Sequence, residues 1–278
     1  MRHVRTLPAA AAALALAALV GCGSSETGTA APAPSAAPSS AAAEGSAPTR
    51  YETLGELSAA LTEQTRADET SAYEFTTTGP QPATGSGVAR VDAAGQAART
   101  TSQVGAPDGS QVDVTVVVLD QDVFIELPPG AEPEPGKPWV RVEPGGTDPA
   151  SQAFGPIAEQ LLTSATPAEQ LKATEDAYTL TGVTEEERCG RPALRYAVDV
   201  DLDVLTRRLA ERSGTEPIPV PPGQTSTASY LVDADDRLLE TVSTVVVEGQ
   251  TIETVTTFSA WGEPVEIVAP PAELIATG

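Results

Sequence analysis

The spacing of hydrophobic positions changes along the chain, and each change predicts a change of secondary structure. Three leucines at helical spacing follow a Thr53/Glu56 capping box, which predicts a helix over Thr53–Thr70. After this helix the apolar positions alternate with polar ones, as they do in half-buried strands. Turns rich in glycine and proline separate the strands that this alternation predicts: Ala72–Thr78, Gly87–Asp92, Ala97–Val104, Gln111–Leu119, Asp122–Leu127 and Trp139–Glu143.

The second half of the chain mixes helical and strand patterns. One helical face is predicted where apolar residues recur every three or four positions: Phe154, Ile157, Ala158, Leu161 and Leu162. A capping box predicts a short helix from Thr166 through Ala173, and three leucines predict another that begins at Leu202 and ends before Gly214. Alternation predicts further strands: Tyr178–Glu185, Ala193–Val200, Thr225–Val232, Leu238–Val247, Thr251–Phe258 and Val265–Val268. The fold class is therefore α+β, with a mainly antiparallel sheet of about eleven or twelve strands.

Two of the predicted strands are apolar on both faces. In Gln111–Leu119 the even-numbered valines point to one face, while Val117 and Leu119 point to the other, and Leu238–Val247 has the same property. Such strands need a cover on both faces, and amphipathic helices supply it on one of them. The other face is closed by curling of the sheet, by a second sheet or by an apolar ligand. A packed sandwich or barrel without a cavity explains the same pattern.

Charge and composition exclude several classes of function. The 278 residues carry a net charge of −23, so the phosphate backbone of a nucleic acid is repelled. His3 is the only histidine and lies in a predicted export signal, so the mature protein lacks the imidazole of catalytic triads and histidine zinc sites. We expect a protein that is not an enzyme and binds no cofactor. A carboxylate-based glycosidase is the enzymatic alternative.

The N-terminus has the order of a bacterial lipoprotein signal. Two arginines precede the apolar stretch Leu7–Val20, whose roughly 14 residues are too few to span a bilayer comfortably. Leu19-Val20-Gly21-Cys22 then resembles a lipobox, in which the cysteine is diacylated before cleavage. We predict a signal peptide over residues 1–21, lipid attachment at Cys22 and localisation on the outer face of the cytoplasmic membrane. A signal anchor, or an ordinary signal peptide with a chance cysteine, is the alternative.

The predicted lipid anchor is followed by a tether and one folded domain. Residues 22–50 comprise the acylated N-terminus and a run of Ala, Pro, Ser and Gly, a composition typical of disorder. Residues 51–278 are interpreted as one domain. With Cys22 acylated, Cys189 is the only remaining thiol, so no intramolecular disulfide can form. Cys189 lies between two arginines. It is either a reactive thiol or an incidental turn residue, and we favour the second interpretation.

Two acidic clusters have a spacing that a cation site could use. Asp199, Asp201 and Asp203 alternate and would share one face of a strand, but an exposed edge that leads into an Asp-capped helix explains them better. Asp233–Asp236 superficially resembles a calcium loop but lacks the glycine at position six and the glutamate at position twelve. A hairpin turn is therefore preferred there, and no metal site is predicted.

Two C-terminal segments have a distinctive order of residues. Ser229–Leu238 combines an aromatic strand, an acidic turn and a second strand. Phe258–Val265 has the pattern Phe-Ser-x-aromatic-Gly-Glu-Pro-Val and is followed by Ala269-Pro270. Both segments resemble the C-terminal part of actinobacterial LppX/LprG-type lipoproteins. The resemblance implies a LolA-like fold, a strongly curved antiparallel half-barrel of about 11 strands with a few α-helices packed on its concave side. It also implies a hydrophobic cavity between sheet and helices for the acyl chains of a lipid or glycolipid, with no catalytic residue.

The sequence thus predicts a non-enzymatic, membrane-anchored extracytoplasmic lipoprotein that binds and carries a lipid or glycolipid. Its membrane contact is through the N-terminal acyl chains, and an envelope export protein is a candidate partner. The alternative is an envelope scaffold or protein-interaction lipoprotein without a lipid cavity. The residues expected to line the cavity are bulky strand residues: Val116, Val118, Phe124, Tyr196, Val198, Ile252 and Phe258.

Overall fold

The computed structural model describes residues 47–276, apart from 94, 106–109, 144, 153, 156–157, 159–166, 214–215, 218 and 248. The helices in this part are α1 (Leu54–Asp68), α2 (Pro167–Ala173) and α3 (Leu202–Ser213). Short 3-10 turns span Glu175–Ala177 and Ala272–Leu274, and helical residues also occur between 149 and 158. The strands are β1 (Thr70–Thr78), β2 (Ala83–Asp92), β3 (Gly95–Gly105), β4 (Gln111–Leu119), β5 (Asp122–Glu126), β6 (Trp139–Val142), β7 (Tyr178–Arg188), β8 (Arg191–Val200), β9 (Thr225–Asp233), β10 (Leu238–Val247) and β11 (Gln250–Ser259).

Helix α1 forms where the sequence predicts it, for the predicted reason. The Glu56 amide donates to Thr53 Oγ1 over 3.2 Å, and the Thr53 amide donates to Glu56 Oε2 over 3.1 Å. This reciprocal pair satisfies two amides that have no partner inside the helix. The helix ends at Asp68, because Glu69 adopts a left-handed backbone conformation with φ of 63°. The predicted helix is confirmed, with an end two residues earlier than expected.

All eleven strands belong to one antiparallel sheet, in the order β6-β5-β4-β3-β2-β1-β11-β10-β9-β8-β7. The first and last strands pair in its middle, so the edges are β6 and β7. Helix α1 contacts both β2 and β7. On a flat sheet these strands would lie about 29 Å apart, whereas a 15-residue helix is only about 22 Å long. The sheet therefore curves around α1, which confirms the α+β class and the curved antiparallel sheet.

We call the side of the sheet that faces α1 the inner face, and the opposite side the outer face. A first apolar cluster packs α1 and α2 against β1 and β8–β11 on the inner face. A second cluster, also on the inner face, packs β4–β6 against helical residues that include Ala158, which is fully buried. Phe154 packs partly buried against this second cluster, whereas Ile157, Leu161 and Leu162 of the predicted helical face lie outside the described residues.

A third apolar cluster lies on the outer face, beneath the C-terminal segment that follows Trp261. Val265 and Ile267 pack there against Val117 and Phe124. The predicted strand Val265–Val268 is wrong, because these four residues pair with no described strand. Prolines on both sides of the segment lack the amide that a ladder of strand hydrogen bonds needs. The second cover that β4 requires is thus a piece of the same chain, whereas no apolar cluster of the described residues lies on the outer face of β10.

Strand β2 begins at Ala83, four residues before the predicted start at Gly87. Its two inward glycines leave room for rings from β1. A Cβ atom at Gly85 would lie 2.6 Å from Cε1 of Phe75, and one at Gly87 would collide with the ring of Tyr73. Tyr73 reaches across β2, and its hydroxyl lies 2.5 Å from Oγ1 of Thr100 on β3. Gly85 and Gly87 therefore allow aromatic rings to lie across the sheet.

Candidate functional site

Side chains of the protein itself fill the inner face beneath α1. Leu57 and Leu61 of the helix are at most 2% exposed and pack against Tyr196 and Val198 of β8. The Tyr196 hydroxyl accepts a hydrogen bond from the Tyr51 amide and donates one to a backbone carbonyl just upstream, at 3.1 and 3.0 Å. This part of the inner face is a packed core formed by side chains of the protein itself.

The structure separates the seven residues that were expected to line a cavity. Tyr196, Val198 and Phe258 lie in the first cluster and Val118 in the second, all of them buried. Six of the seven share the inner face, and two keep partly exposed surface there: Val116 and Ile252. Their role as ligand contacts stays a prediction.

Phe124 lies on the outer face, in the third cluster beneath the C-terminal segment. Its neighbours Val123 and Ile125 point inward, and successive side chains of a strand point to opposite faces. Phe124 therefore cannot share a lining with the other six residues.

One end of the inner face carries aliphatic side chains that are only half-buried. We call this set the inner rim: Ala83, Val104, Val112, Val245 and Ile252. The strand register places Val104 opposite both Ala83 and Val112, and it places Val245 opposite Ile252. The rim valines and the isoleucine belong to none of the three clusters. Alternation in the sequence identifies their face, but it does not distinguish a rim residue from a core residue.

A layer of threonines separates the inner rim from the first cluster. Thr77 and Thr254 face each other with their Oγ1 atoms 3.0 Å apart, and both are buried. Thr256 and Thr241 occupy the next inward positions and are also buried. Oγ1 of Thr241 has no hydrogen-bond partner among the described residues. A ligand that enters over the rim thus meets hydroxyl groups before it meets the aliphatic core, so the site is shallow.

Burial and ion pairing account for the shifted pKa values near the sheet. Burial raises the pKa of Tyr73 to about 12, and burial together with the Asp236 carboxylate raises the pKa of Tyr51 to about 12. On the outer face Arg195 binds Glu186 at 2.6 and 3.0 Å, which lowers the pKa of that carboxyl group. These groups hold strands and the N-terminal segment together, and at neutral pH the two tyrosines stay protonated.

The two acidic clusters have structural roles in the described chain. Asp201 accepts a hydrogen bond from the Val204 amide over 3.0 Å, which makes it the cap of α3. Asp233 accepts from the amides of Asp235 and Arg237, both at 2.9 Å, within the turn between β9 and β10. Among the described residues no three His, Cys, Asp or Glu side chains converge on a metal-binding geometry.

Cys189 is exposed in the turn between β7 and β8, with a left-handed φ of 52°. Its role as a reactive or incidental thiol stays a prediction. The lipobox, Cys22 and most of the tether lie outside the described residues. No helix within the described ranges is long and apolar enough to cross a bilayer.

No protein-family model matches the chain, and no curated protein matches it. One solved structure that is similar is the crystal structure of MucB in complex with MucA(peri), at 20% sequence identity and a TM-score of 0.33. The match covers 79% of this chain, which spans 57% of the MucB chain. A TM-score of this size does not establish a common fold, so the architecture stands on the strand order and register alone.

Proposed function

We propose that the protein is a lipid-anchored envelope protein that binds the acyl part of a lipid or glycolipid at its inner rim. The observation that carries this proposal is the set of half-buried aliphatic side chains, among them Val104, Val112 and Ile252, that lie outside the three apolar clusters of the described residues. Covering such surface is favourable by roughly 25 cal/mol for each Å² of apolar area removed from water. The lipobox at Cys22 supports an extracytoplasmic location.

The threonine layer defines how such a ligand would lie. An acyl chain packed along the rim keeps contact with aliphatic groups, whereas one driven deeper would bury the hydroxyls of Thr77 and Thr254 against hydrocarbon. The ligand therefore lies across the end of the sheet with its head group in solvent. A carrier benefits from this arrangement, because release does not require α1 to leave the core.

Native mass spectrometry with lipid extraction tests the proposal on full-length protein purified from an actinobacterial host. The wild-type protein is expected to carry about one lipid per chain. The variants Val104→Asp and Ile252→Asp place a charge on the rim and are expected to lower the bound fraction at least fivefold. Val242→Asp is the matched control, because Val242 is a half-buried strand valine on the outer face.

Two results would contradict rim binding. One is wild-type protein that is free of lipid both in the spectrum and in the extract. The other is an equal loss of lipid in the Val242→Asp control, which would mean that the charge acts through stability. Circular dichroism of all three variants separates these cases, since each must keep the far-ultraviolet spectrum of the wild type.

The lipid anchor itself is tested by Cys22→Ala. Without the acylated cysteine, attachment has no other source in the proposal, because a net charge of −23 disfavours adsorption to anionic lipid. The variant is expected to move from the membrane fraction to the soluble fraction after cell disruption. Continued sedimentation with membranes, while a Cys189→Ala control behaves as wild type, would contradict the anchor.

A protein-interaction role is the second candidate, and the free edge of β7 favours it. In the described chain no strand pairs with the outer side of β7, and its residues from Thr184 to Arg188 are exposed. Glu186 is occupied by Arg195, whereas Glu185 and Glu187 have no ion-pair partner among the described residues. An extended partner segment with lysine or arginine at alternate positions would complete the edge and pair with these carboxylates.

A peptide of alternating lysine and valine serves as the probe for this edge, titrated into the full-length protein by calorimetry. Saturable binding that weakens with salt is expected. Glu185→Gln combined with Glu187→Gln is expected to weaken binding about fivefold, the size of two cross-strand charge pairs. Glu74→Gln combined with Glu253→Gln, on central strands, is the control. Binding that is absent, or equally weakened in the control, would contradict the edge as the docking site.

A further inference from the structure

The outer face holds a depression of about 560 Å³ that the lipid proposal does not use. Its floor is formed by outward-facing side chains of β2, β3, β4 and β5, and the segment from Leu127 to Pro129 forms one wall. The strand register aligns the floor residues into neighbouring pairs: Thr84 with Gln103, Thr101 with Thr115, and Gln103 with Asp113. The volume lies within the range of roughly 300–1,000 Å³ that small-molecule sites occupy.

The depression begins where the C-terminal cover of the outer face ends. Val117 and Phe124 lie beneath that segment. Two residues further along the same strands and on the same face, the lining changes to Thr115 and Glu126. Thr115 is 7% exposed, so it lies at the bottom of the depression, whereas Asp113 at its rim is exposed. The side chains that line this part of the outer face are therefore polar, and the described residues leave the concave site open.

The lining has the chemistry that recognises sugar hydroxyl groups. Threonine and serine hydroxyls both donate and accept, the Gln103 amide does the same, and Asp113 and Glu126 accept strongly. Leu127 and the prolines after it supply an apolar wall for the C–H face of a sugar ring. Among the described residues, no lysine, arginine or histidine lines the depression, so the two carboxylates repel a phosphate or sulfate group.

We infer that this depression binds an uncharged polyhydroxy ligand, of the class of a neutral oligosaccharide. The site lies on the face opposite the inner rim, so both surfaces can be occupied together. The inference does not depend on lipid binding. A protein with both sites would hold an apolar ligand on one face and a glycan segment on the other.

Calorimetric titration of full-length protein, solubilised in a polyoxyethylene detergent that carries no sugar, tests the inference. The probes are a glucan, a mannan and a galactan hexamer, together with a mannose oligomer that carries a terminal phosphate. At least one neutral hexamer is expected to bind saturably, and the phosphorylated oligomer at least fivefold more weakly than its neutral counterpart. Hydrogen–deuterium exchange is expected to show ligand protection in β3 and β4, and none in β8 and β9.

Matched substitutions locate the site. Asp113→Asn and Thr101→Val are expected to weaken glycan binding at least fivefold, while Asp199→Asn and Thr227→Val leave it unchanged. All four residues are exposed on the outer face, so the fold is preserved in each variant. The rim variant Val104→Asp is expected to bind the glycan normally, which separates this inference from the lipid proposal. No saturable binding by any neutral hexamer, or equal weakening in the controls, would overturn it.

Discussion

The two halves of the sheet are covered differently. In the half formed by β1 and β7–β11, α1 and α2 cover the inner face, and no helix or segment of the described chain forms an apolar cluster on the outer face. In the half formed by β2–β6, helical residues cover the inner face and the C-terminal segment covers the outer face. Strand β1 accordingly alternates buried residues with partly or fully exposed ones from Ser71 to Thr78, whereas Val123, Phe124 and Ile125 of β5 are buried in succession.

The difference in how the two halves are covered shows where a ligand can bind on a sheet that is otherwise packed. The valines and the isoleucine of the inner rim lie outside the cluster that α1 forms with the sheet, and the outer depression begins where the third cluster ends. Both candidate surfaces are therefore places where a cover ends rather than cavities enclosed within the core. The inner rim remains aliphatic and the outer depression polar, so the two surfaces select opposite ligand chemistry.

The largest effect is expected from a substitution in α1, which covers the half of the sheet formed by β1 and β7–β11. Leu57 is fully buried between α1 and the sheet, so Leu57→Ala leaves a cavity at the centre of the first cluster. We expect the free energy of unfolding to fall by about 3 kcal/mol, as is typical for buried leucines. Urea denaturation followed by circular dichroism measures it. Glu63→Ala, on the exposed side of α1, should change stability by less than about 0.5 kcal/mol.

The half of the sheet formed by β2–β6 is tested by two adjacent residues in the C-terminal segment. Ile267 is 5% exposed within the third cluster, whereas Val268 is 55% exposed. Ile267→Ala is expected to cost about 2 kcal/mol, because part of the outer cover is lost. Val268→Ala is expected to be nearly neutral. Equal effects in the same denaturation experiment would mean that the segment does not pack on the sheet as described.

Much of this architecture could be predicted from the sequence, because local patterns carried it. The capping box at Thr53 and the alternation in β1 each depend on residues close together in the chain. The valines on both faces of β4 correctly indicated two covers. They did not indicate which segment supplies the second cover. Ile267 follows β4 by more than a hundred residues, and only folding of the chain brings the two together.

The candidate sites were less predictable for a related reason. Because successive side chains of a strand point to opposite faces, the sequence places Phe124 opposite Val123 and Ile125. Only the pairing between strands and the packing of β5 show that the face of Phe124 is the outer one. Whether Ile252 lies in the core or on the rim depends on how much of the sheet α1 covers. The spacing of apolar residues in β11 does not indicate this. The outer depression combines four strands and a loop, so no single stretch of sequence contains its signal.

A smaller effect is expected at the ion pair that ties α1 to the sheet. Asp68 accepts two hydrogen bonds from Arg237, at 2.8 and 2.6 Å, which lower the pKa of the Asp68 carboxyl group. Asp68→Asn is expected to lower the free energy of unfolding at pH 7 by about 1.5 kcal/mol, the lower range for charge-assisted hydrogen bonds. Asp235→Asn is the control, because its exposed carboxylate lies 3.7 Å from the same arginine.

The pH dependence of this effect has a defined sign. A carboxyl group whose pKa is lower in the folded protein stabilises the fold above its unfolded pKa of about 3.9. That stabilisation is lost as the pH falls below about 4 toward the folded pKa, so wild type and Asp68→Asn should converge in acid. Urea denaturation at pH 7 and pH 3 measures the difference. A gap that stays constant between the two pH values would contradict the role of the charge.

The smallest effect is expected at the cap of α1. It tests whether the two halves of the sheet are independent, because α1 covers the half formed by β1 and β7–β11. Thr53→Ala removes the hydroxyl that accepts the Glu56 amide and should cost about 1 kcal/mol, whereas Thr53→Ser keeps the acceptor and should cost little. Hydrogen exchange should accelerate in the first turn of α1, with β5 and β6 unchanged, since their covers come from other segments. Uniform acceleration across the sheet would instead mean that both halves unfold together and that their covers are not independent.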